Sequence, residues 1–401
     1  MSGRPSPLAA LRVPGEEDAR RRAWAVAQAA LAQREPVAKR RARPPLALAA
    51  VAVAAIVVLA LAVTAPGRAT ADWVRARIDA VAHPPAPPRA PANPVPSTGP
   101  LPGGGLILVV NDHGPTVLGL GAPRVLLGRV DAATWSPHGK YVAAVRGIEL
   151  IAVDLAGHRR WSLAGHDPIR WPTWAPSGFR VAYVTGTPGR GGRTVRVVAG
   201  DGTGDHVLAA TGPAPPAWQP ATAGERLAYA DNAGRVALRD ADSGRLIWRT
   251  RGGLRPIQLA FSSDGRRLLV LEPDRTLIFN GATGALLAGG RHTTKSTNIA
   301  VAYKPGSSTV YALVRRLRGS GDARLVIVHT DRHGVRPVDF STVLFAGGPL
   351  GAPAWSPTGD WLVAEGGAAG WDVLHVAGRG TDRIRLLAPG RGAHLAGWCC
   401  G

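Results

Sequence analysis

The residues of this chain whose types could do chemistry are few: two cysteines, eleven histidines and some clustered acids. Cys399 and Cys400 are adjacent, so oxidation can give a vicinal disulfide or a bond to another chain, while reduced thiols stay free, buried or open to metal capture. The sequence leaves those outcomes open. His329 and His333 have the i, i+4 spacing that places two ligands on one helical face, but they flank a hairpin turn in a strand pattern, where that spacing does not align them. Asp201-Gly202-Thr203-Gly204-Asp205 alternates acidic and small residues as a calcium loop does, and reads more simply as a polar turn. There is no His-Glu-x-x-His, Cys-x-x-Cys, Gly-x-Ser-x-Gly or Gly-x4-Gly-Lys-Ser/Thr. No catalytic residue, cofactor or metal site is expected.

The elements that would carry these residues are set by a repeat. Trp135-Ser136-Pro137-His138-Gly139 recurs as Trp174-Ala175-Pro176-Ser177-Gly178, Trp218-Gln219-Pro220, Phe261-Ser262-Ser263-Asp264-Gly265, Tyr303-Lys304-Pro305-Gly306 and Trp355-Ser356-Pro357-Thr358-Gly359, with Trp398 where the next would fall. The aromatics are 39, 44, 43, 42, 52 and 43 residues apart, the period of four-stranded propeller blades. Ser-Pro-x-Gly favours a type I turn, since Pro presets φ at the second position and Gly relieves the fourth. Short apolar runs follow each turn, for example Tyr141 to Val145, Arg267 to Leu271 and Trp361 to Glu365, and a second run follows those. Each aromatic is read as a packing residue between blades.

Ring closure can be read from the two ends of the repeat array. Leu106 to Val110, Thr116 to Leu120 and Arg124 to Leu127 make three strands that lack an aromatic-ended partner, and His394 to Trp398 supplies it. Six complete repeats plus this composite 3+1 blade predict an all-β, seven-bladed β-propeller over 105–401, with its edge strands paired. The W-S-P-x-G turn, the strand after it and the period resemble the WD-repeat-like propeller repeats of the TolB type. The resemblance implies a partner-binding surface and no catalytic site. The Trp-Asp dipeptide of true WD repeats does not close these blades.

The region before the propeller points to a membrane. Leu46 to Ala65 is apolar but for Thr64 and long enough for a transmembrane helix. Lys39, Arg40, Arg41 and Arg43 outweigh Arg68, Arg75 and Arg77 beyond it, which favours a cytoplasmic N-terminal side. A cleaved signal peptide, with Ala69-Thr70-Ala71 as its site, is the less favoured reading because the leader and apolar run are too long. Residues 1–45 are a basic tail with an amphipathic helix bearing Trp24, resting on lipid or docking a cytosolic partner, and 66–104 form a juxtamembrane segment and Pro-rich stalk.

The chain has 48 Lys and Arg against 27 Asp and Glu, a net charge of +21, yet only Lys39, Lys140, Lys295 and Lys304 are lysine, as in a GC-rich genome. With no basic stripe interleaved with aromatics, nucleic acid is not an expected partner. The long interval after Tyr303 holds Arg315-Arg316-Leu317-Arg318, a predicted hairpin extension and candidate contact for an acidic partner. The sequence favours an exported, non-catalytic binding or scaffolding module at a bacterial cytoplasmic membrane, with the lipid bilayer held through 46–65 and a protein or envelope component through propeller loops. Two other readings are a transmembrane regulator similar in topology to anti-sigma factors, whose frequent His-x3-Cys-x2-Cys pattern is missing here, and a propeller hydrolase or lyase.

Overall fold

The computed structural model describes residues 100–400 apart from 188–189, 221–223, 292–294, 331–341, 347–349, 366–370, 377–382 and 387–392. The expected Trp24 helix, the span at 46–65, the stalk to residue 99 and His333 lie outside the described residues. Among the described residues there is no helix, and so none long and apolar enough to cross a membrane.

Twenty-eight strands form seven four-stranded antiparallel sheets. Strands β1 (Leu106–Asn111), β2 (Gly114–Leu118) and β3 (Arg124–Val125) open blade 1. Blade 2 is β4 (Ala132–Trp135), β5 (Tyr141–Arg146), β6 (Glu149–Asp154) and β7 (Arg159–Ala164). Blade 3 is β8 (Ile169–Trp174), β9 (Arg180–Thr187), β10 (Arg190–Ala199) and β11 (His206–Thr211), and blade 4 is β12 (Ala217–Trp218), β13 (Arg226–Ala230), β14 (Val236–Asp240) and β15 (Leu246–Arg249). Blade 5 holds β16 (Gln258–Phe261), β17 (Arg267–Leu271), β18 (Arg275–Asn280) and β19 (Leu286–Arg291). Blade 6 holds β20 (Ser296–Tyr303), β21 (Val310–Leu317), β22 (Ala323–His329) and β23 (Thr342–Ala346). Blade 7 holds β24 (Pro353–Trp355), β25 (Trp361–Ala364), β26 (Trp371–His375) and β27 (Arg383–Leu386). The last strand, β28 (His394–Cys399), returns to pair with β1, so blade 1 reads β28-β1-β2-β3. This is the composite blade that the repeat count demands.

The first strands of the blades touch one another in a closed cycle, β28 to β4, β8, β12, β16, β20, β24 and back to β28. They are therefore the inner strands, six ending in the motif aromatic and β28 one residue beyond it. Second and third strands are covered on both faces by neighbouring blades, which is why β5 and β6 are near-continuous apolar runs with buried centres. The outer strand β7 alternates exposed and half-buried residues and carries Arg159 and Arg160, charges that blunt an open edge. Accordingly the apolar core is spread around the ring as a layer between each pair of blades. Val145, Leu150, Trp174 and Val181 fill the layer between blades 2 and 3; Leu108, Val117, Trp135 and Ile151 fill the one that closes the ring.

The recurring turn has the geometry its composition predicts. Gly139, Gly178, Gly265 and Gly359 donate their N–H to the carbonyl three residues back and sit at φ of +62, +82, +67 and +74. The motif serine closes the hairpin a second time, its Oγ accepting the N–H of Tyr141, Arg267 or Trp361 at 2.9, 3.0 and 3.1 Å. In blade 6 the turn is longer: Lys304 N–H bonds to Val310, and Ser307 Oγ, on the far side of Gly306, accepts from Val310.

Three sequence readings shift. β2 begins at Gly114 and ends at Leu118, because Gly114 and Gly119 take φ of +119 and +101 and bend the chain at both ends. β3 is only Arg124–Val125, since Leu126 turns inward to the core and its N–H reaches back to Pro115. Leu101, within the segment read as stalk, is 5% exposed and packs with Ile107, Trp371 and Trp398.

Candidate functional site

The motif aromatics pack into the layers between the blades. Trp135, Trp174, Trp218, Trp355 and Trp398 are buried, and Phe261 and Tyr303 pack half-buried against the inter-blade cores. Trp218 and Trp355 donate Nε1–H at 3.0 Å to Thr173 and Ala302, carbonyls on the inner strand of the preceding blade. Trp398 donates to Gly104 at 2.9 Å. The prolines 137, 176, 220, 305 and 357 sit in or beside the turns that these rings anchor.

Blades 2 and 3 nevertheless leave a cleft of about 430 Å³ on the face that carries these turns. Trp161, on the outer strand β7, reaches across the gap and donates Nε1–H to the Gly200 carbonyl at 2.7 Å. Its ring lies on Gly202, where a Cβ would stand 2.8 Å from Cγ of the indole. A Cβ at Gly200 would meet the Gly178 carbonyl at 2.7 Å, so backbone alone fits beneath the ring of Trp174. The wall is thus held before anything binds. Tyr141 and Phe179 stand at the mouth, 38% and 70% exposed.

Charge around the cleft is balanced. Arg160 pairs with Asp154 at 2.7 Å and Arg180 with Asp242 at 2.8 Å. Asp201 closes its own turn by accepting from Thr203 N–H and Oγ1–H, and the Thr203 side chain is the largest cause of its lowered pKa. Asp205 turns to Arg196 and to the Tyr183 hydroxyl at 2.7 Å, so the two carboxylates of the possible calcium loop have separate partners and the segment is a blade turn. Burial and this carboxylate push the Tyr183 phenol up and keep it neutral. The cleft can therefore take a flat apolar group between Tyr, Trp and Phe rings, with guanidinium stems at its rim. Tyr, Trp and Arg are the residues that dominate binding energy at protein interfaces.

Of the residues singled out by sequence, Trp174, Gly178 and Asp201 line this cleft. Arg315, Arg316 and Arg318 are on the predicted hairpin, where β21 and β22 pair to Arg316↔Ala323 and Arg316 and Arg318 are exposed. Cys399 and Cys400 are joined by a disulfide at the end of β28. His329 ends β22 and is exposed, and no group of three or more metal-ligating side chains occurs among the described residues. Trp161 and Phe179 were missed, though a signal existed: Phe179 follows the motif glycine where other repeats have Lys140, Arg266 or Asp360. A further irregularity, a bulge in β8, puts Trp171 at φ +52 with the Arg193 guanidinium 6.0 Å from its ring centre.

Two acids elsewhere have structural pairings. Glu272 is fully buried, accepts Arg255 N–H at 2.6 Å and pairs with Arg275, which ties the loops of blade 5 together. Glu365 of blade 7 meets His394 of β28 at 3.0 Å, linking blade 7 to the inner strand of blade 1.

No protein-family model and no curated protein matches the chain. Among solved structures it is similar to the β-propeller domain of Cps50 (Swd1) from Myceliophteria thermophila, at 16% identity over 72% of this chain and 100% of that one, with a TM-score of 0.53. A chain of a mitotic checkpoint complex is 14% identical over 75% and 86%, with a TM-score of 0.52. The putative TolB from Agrobacterium tumefaciens is 18% identical over 65% and 96%, at a TM-score of 0.44. At such identities what is shared is the fold. The described chain is a seven-bladed β-propeller closed by pairing its last strand with its first.

Proposed function

We propose that this propeller is a non-catalytic binding or scaffolding module, anchored in a bacterial cytoplasmic membrane through residues 46–65 and displayed outside it, and that the cleft between blades 2 and 3 is where a protein partner docks. The observation that carries the binding role is the cleft itself: Trp161 and Trp174 are fixed by backbone contacts while Phe179 and Tyr141 are left exposed. A rigid aromatic wall loses little entropy on binding, so its contact area converts efficiently into affinity. The anchor rests on the apolar run and the basic residues before it. The exposed arginines of the β21–β22 hairpin offer a second contact, for acidic groups.

The test places a photocrosslinking amino acid at position 141, and separately at 316, of the full-length protein in its host membrane. Capture of an envelope protein that is lost with Trp161→Ala or Phe179→Ala supports the reading, with about 2 kcal/mol or roughly thirtyfold in Kd expected for an anchor residue. Capture that is indifferent to both substitutions removes the cleft from the interface. Recovery of the chain in the soluble cytosolic fraction removes the anchor.

A further inference from the structure

The disulfide between Cys399 and Cys400 lies where three blades meet. Cys399 is the last residue of β28, pairs with Leu106 of β1 and packs against the core layer containing Trp135 and Val142. Its sulfur and that of Cys400 lie over the turn glycine of blade 2: a Cβ at Gly139 would stand 2.2 Å from Cys400 Sγ and 3.2 Å from Cys399 Sγ. The two cysteine carbonyls cover Gly105, where a Cβ would meet them at 2.4 and 2.9 Å and Pro357 of the blade 7 turn at 3.0 Å. Cys400 is held at φ +57, a region that non-glycine residues rarely occupy. Both cysteines are only half-buried, so a reagent can reach them.

We propose that Cys399–Cys400 is a thiol–disulfide exchange site whose substrate is a dithiol and whose redox state sets how firmly the ring is closed. A thiolate of the dithiol attacks one cysteine sulfur; a mixed disulfide forms, the Cys–Cys bond breaks, and its electron pair leaves on the other sulfur, which takes a proton. The reductant's second thiolate then attacks the mixed disulfide, closes the reductant's own disulfide and releases the remaining cysteine as a thiol. Two electrons and two protons pass to the protein, and one dithiol becomes one disulfide. Two unbonded sulfurs need more room than two bonded ones, and the floor at Gly139 leaves none. One side chain must leave, Cys400 is freed from its left-handed conformation, and the Leu106–Cys399 end of the closing pair frays. The opposite end of the pairing, Val110↔His394, lies away from the cysteines, so the ring loosens on one face. This inference does not depend on what the propeller binds.

Hydrogen exchange read by mass spectrometry on the full-length protein, with and without dithiothreitol and with alkylation to count thiols, tests it. Unreduced protein should take no alkyl group and reduced protein two. Reduction should speed amide exchange in 397–399 and 106–108 by about tenfold or more and leave blades 4 and 5 unchanged. Cys399→Ala/Cys400→Ala should exchange fast from the start and ignore dithiothreitol; if that variant does not fold, the wild-type comparison decides alone. Two alkyl groups without reductant, or complete reduction with no change in exchange at the seam, would overturn the proposal.

Discussion

Replacing the motif tryptophans by phenylalanine should split them into two groups, although all occupy the same place in the repeat. Trp218, Trp355 and Trp398 donate Nε1–H to backbone carbonyls at 2.9 to 3.0 Å. Trp135 is as deeply buried, but its Nε1 has no hydrogen-bond partner among the described residues. Trp→Phe removes the same ring volume at each site and differs only in the fate of that N–H. At Trp218 and Trp355 it breaks a bond between blades, a loss of about 1 kcal/mol, and up to about 3 kcal/mol if the carbonyl stays buried and unpaired. At Trp135 it deletes a donor that is desolvated without return, which offsets part of the packing loss by about 1 kcal/mol or more. Trp218→Phe should thus be at least about 2 kcal/mol worse than Trp135→Phe, which is roughly 4 °C in Tm for a domain of this size. The assay is thermal and urea unfolding of matched variants, followed by tryptophan fluorescence. Equal losses at Trp135 and Trp218, within about 0.5 kcal/mol, would refute the claim that indole hydrogen bonds tie inner strands to preceding blades.

Other outcomes follow from the same contacts. Ser262→Ala should cost about 1 kcal/mol by removing the acceptor for Arg267 N–H, whereas Ala175→Ser, at the one complete motif without the hydroxyl, should be neutral to stabilising in urea melts. Gly202→Ala, at φ +88 and against Trp161, should lower stability by about 1–3 kcal/mol and alter the Trp161 fluorescence. Asp240 is held below the usual aspartate value by the Ser243 hydroxyl and N–H, so its contribution is full above about pH 4 and disappears as pH falls through the lower folded pKa. Thermal melts of Asp240→Asn should accordingly show a shallower loss of Tm between about pH 4 and pH 2 than wild type.

Much of the fold was legible because a propeller repeats its instructions. Each copy of the turn states where an inner strand ends and a second begins, and the leftover strands at the two ends of the array can only complete one another. Boundaries at β2 and β3 were less legible, since Gly114 and Gly119 bend the chain for reasons of local conformation that a hydrophobic pattern does not record. Arg315, Arg316 and Arg318 do fall on the β21–β22 hairpin, but the extra length of this interval is shared with 330–341, between β22 and β23.

The candidate site was not legible in the same way. Tyr141, Trp161, Trp174 and Phe179 come from two blades and from positions with unrelated roles in their repeats, and periodicity treats each blade alone. Their convergence depends on the narrow gap that Gly200 and Gly202 permit, a matter of angstroms between chain segments distant in sequence. The cysteines show the division most plainly. Their adjacency was written in the sequence, which left a vicinal bond, free or buried thiols, and bonds to other chains or a metal all open. Only the packing of β28 onto Gly139 and Gly105 joined the two sulfurs and set them on the seam, because where a bond forms depends on which atoms the closed ring brings together.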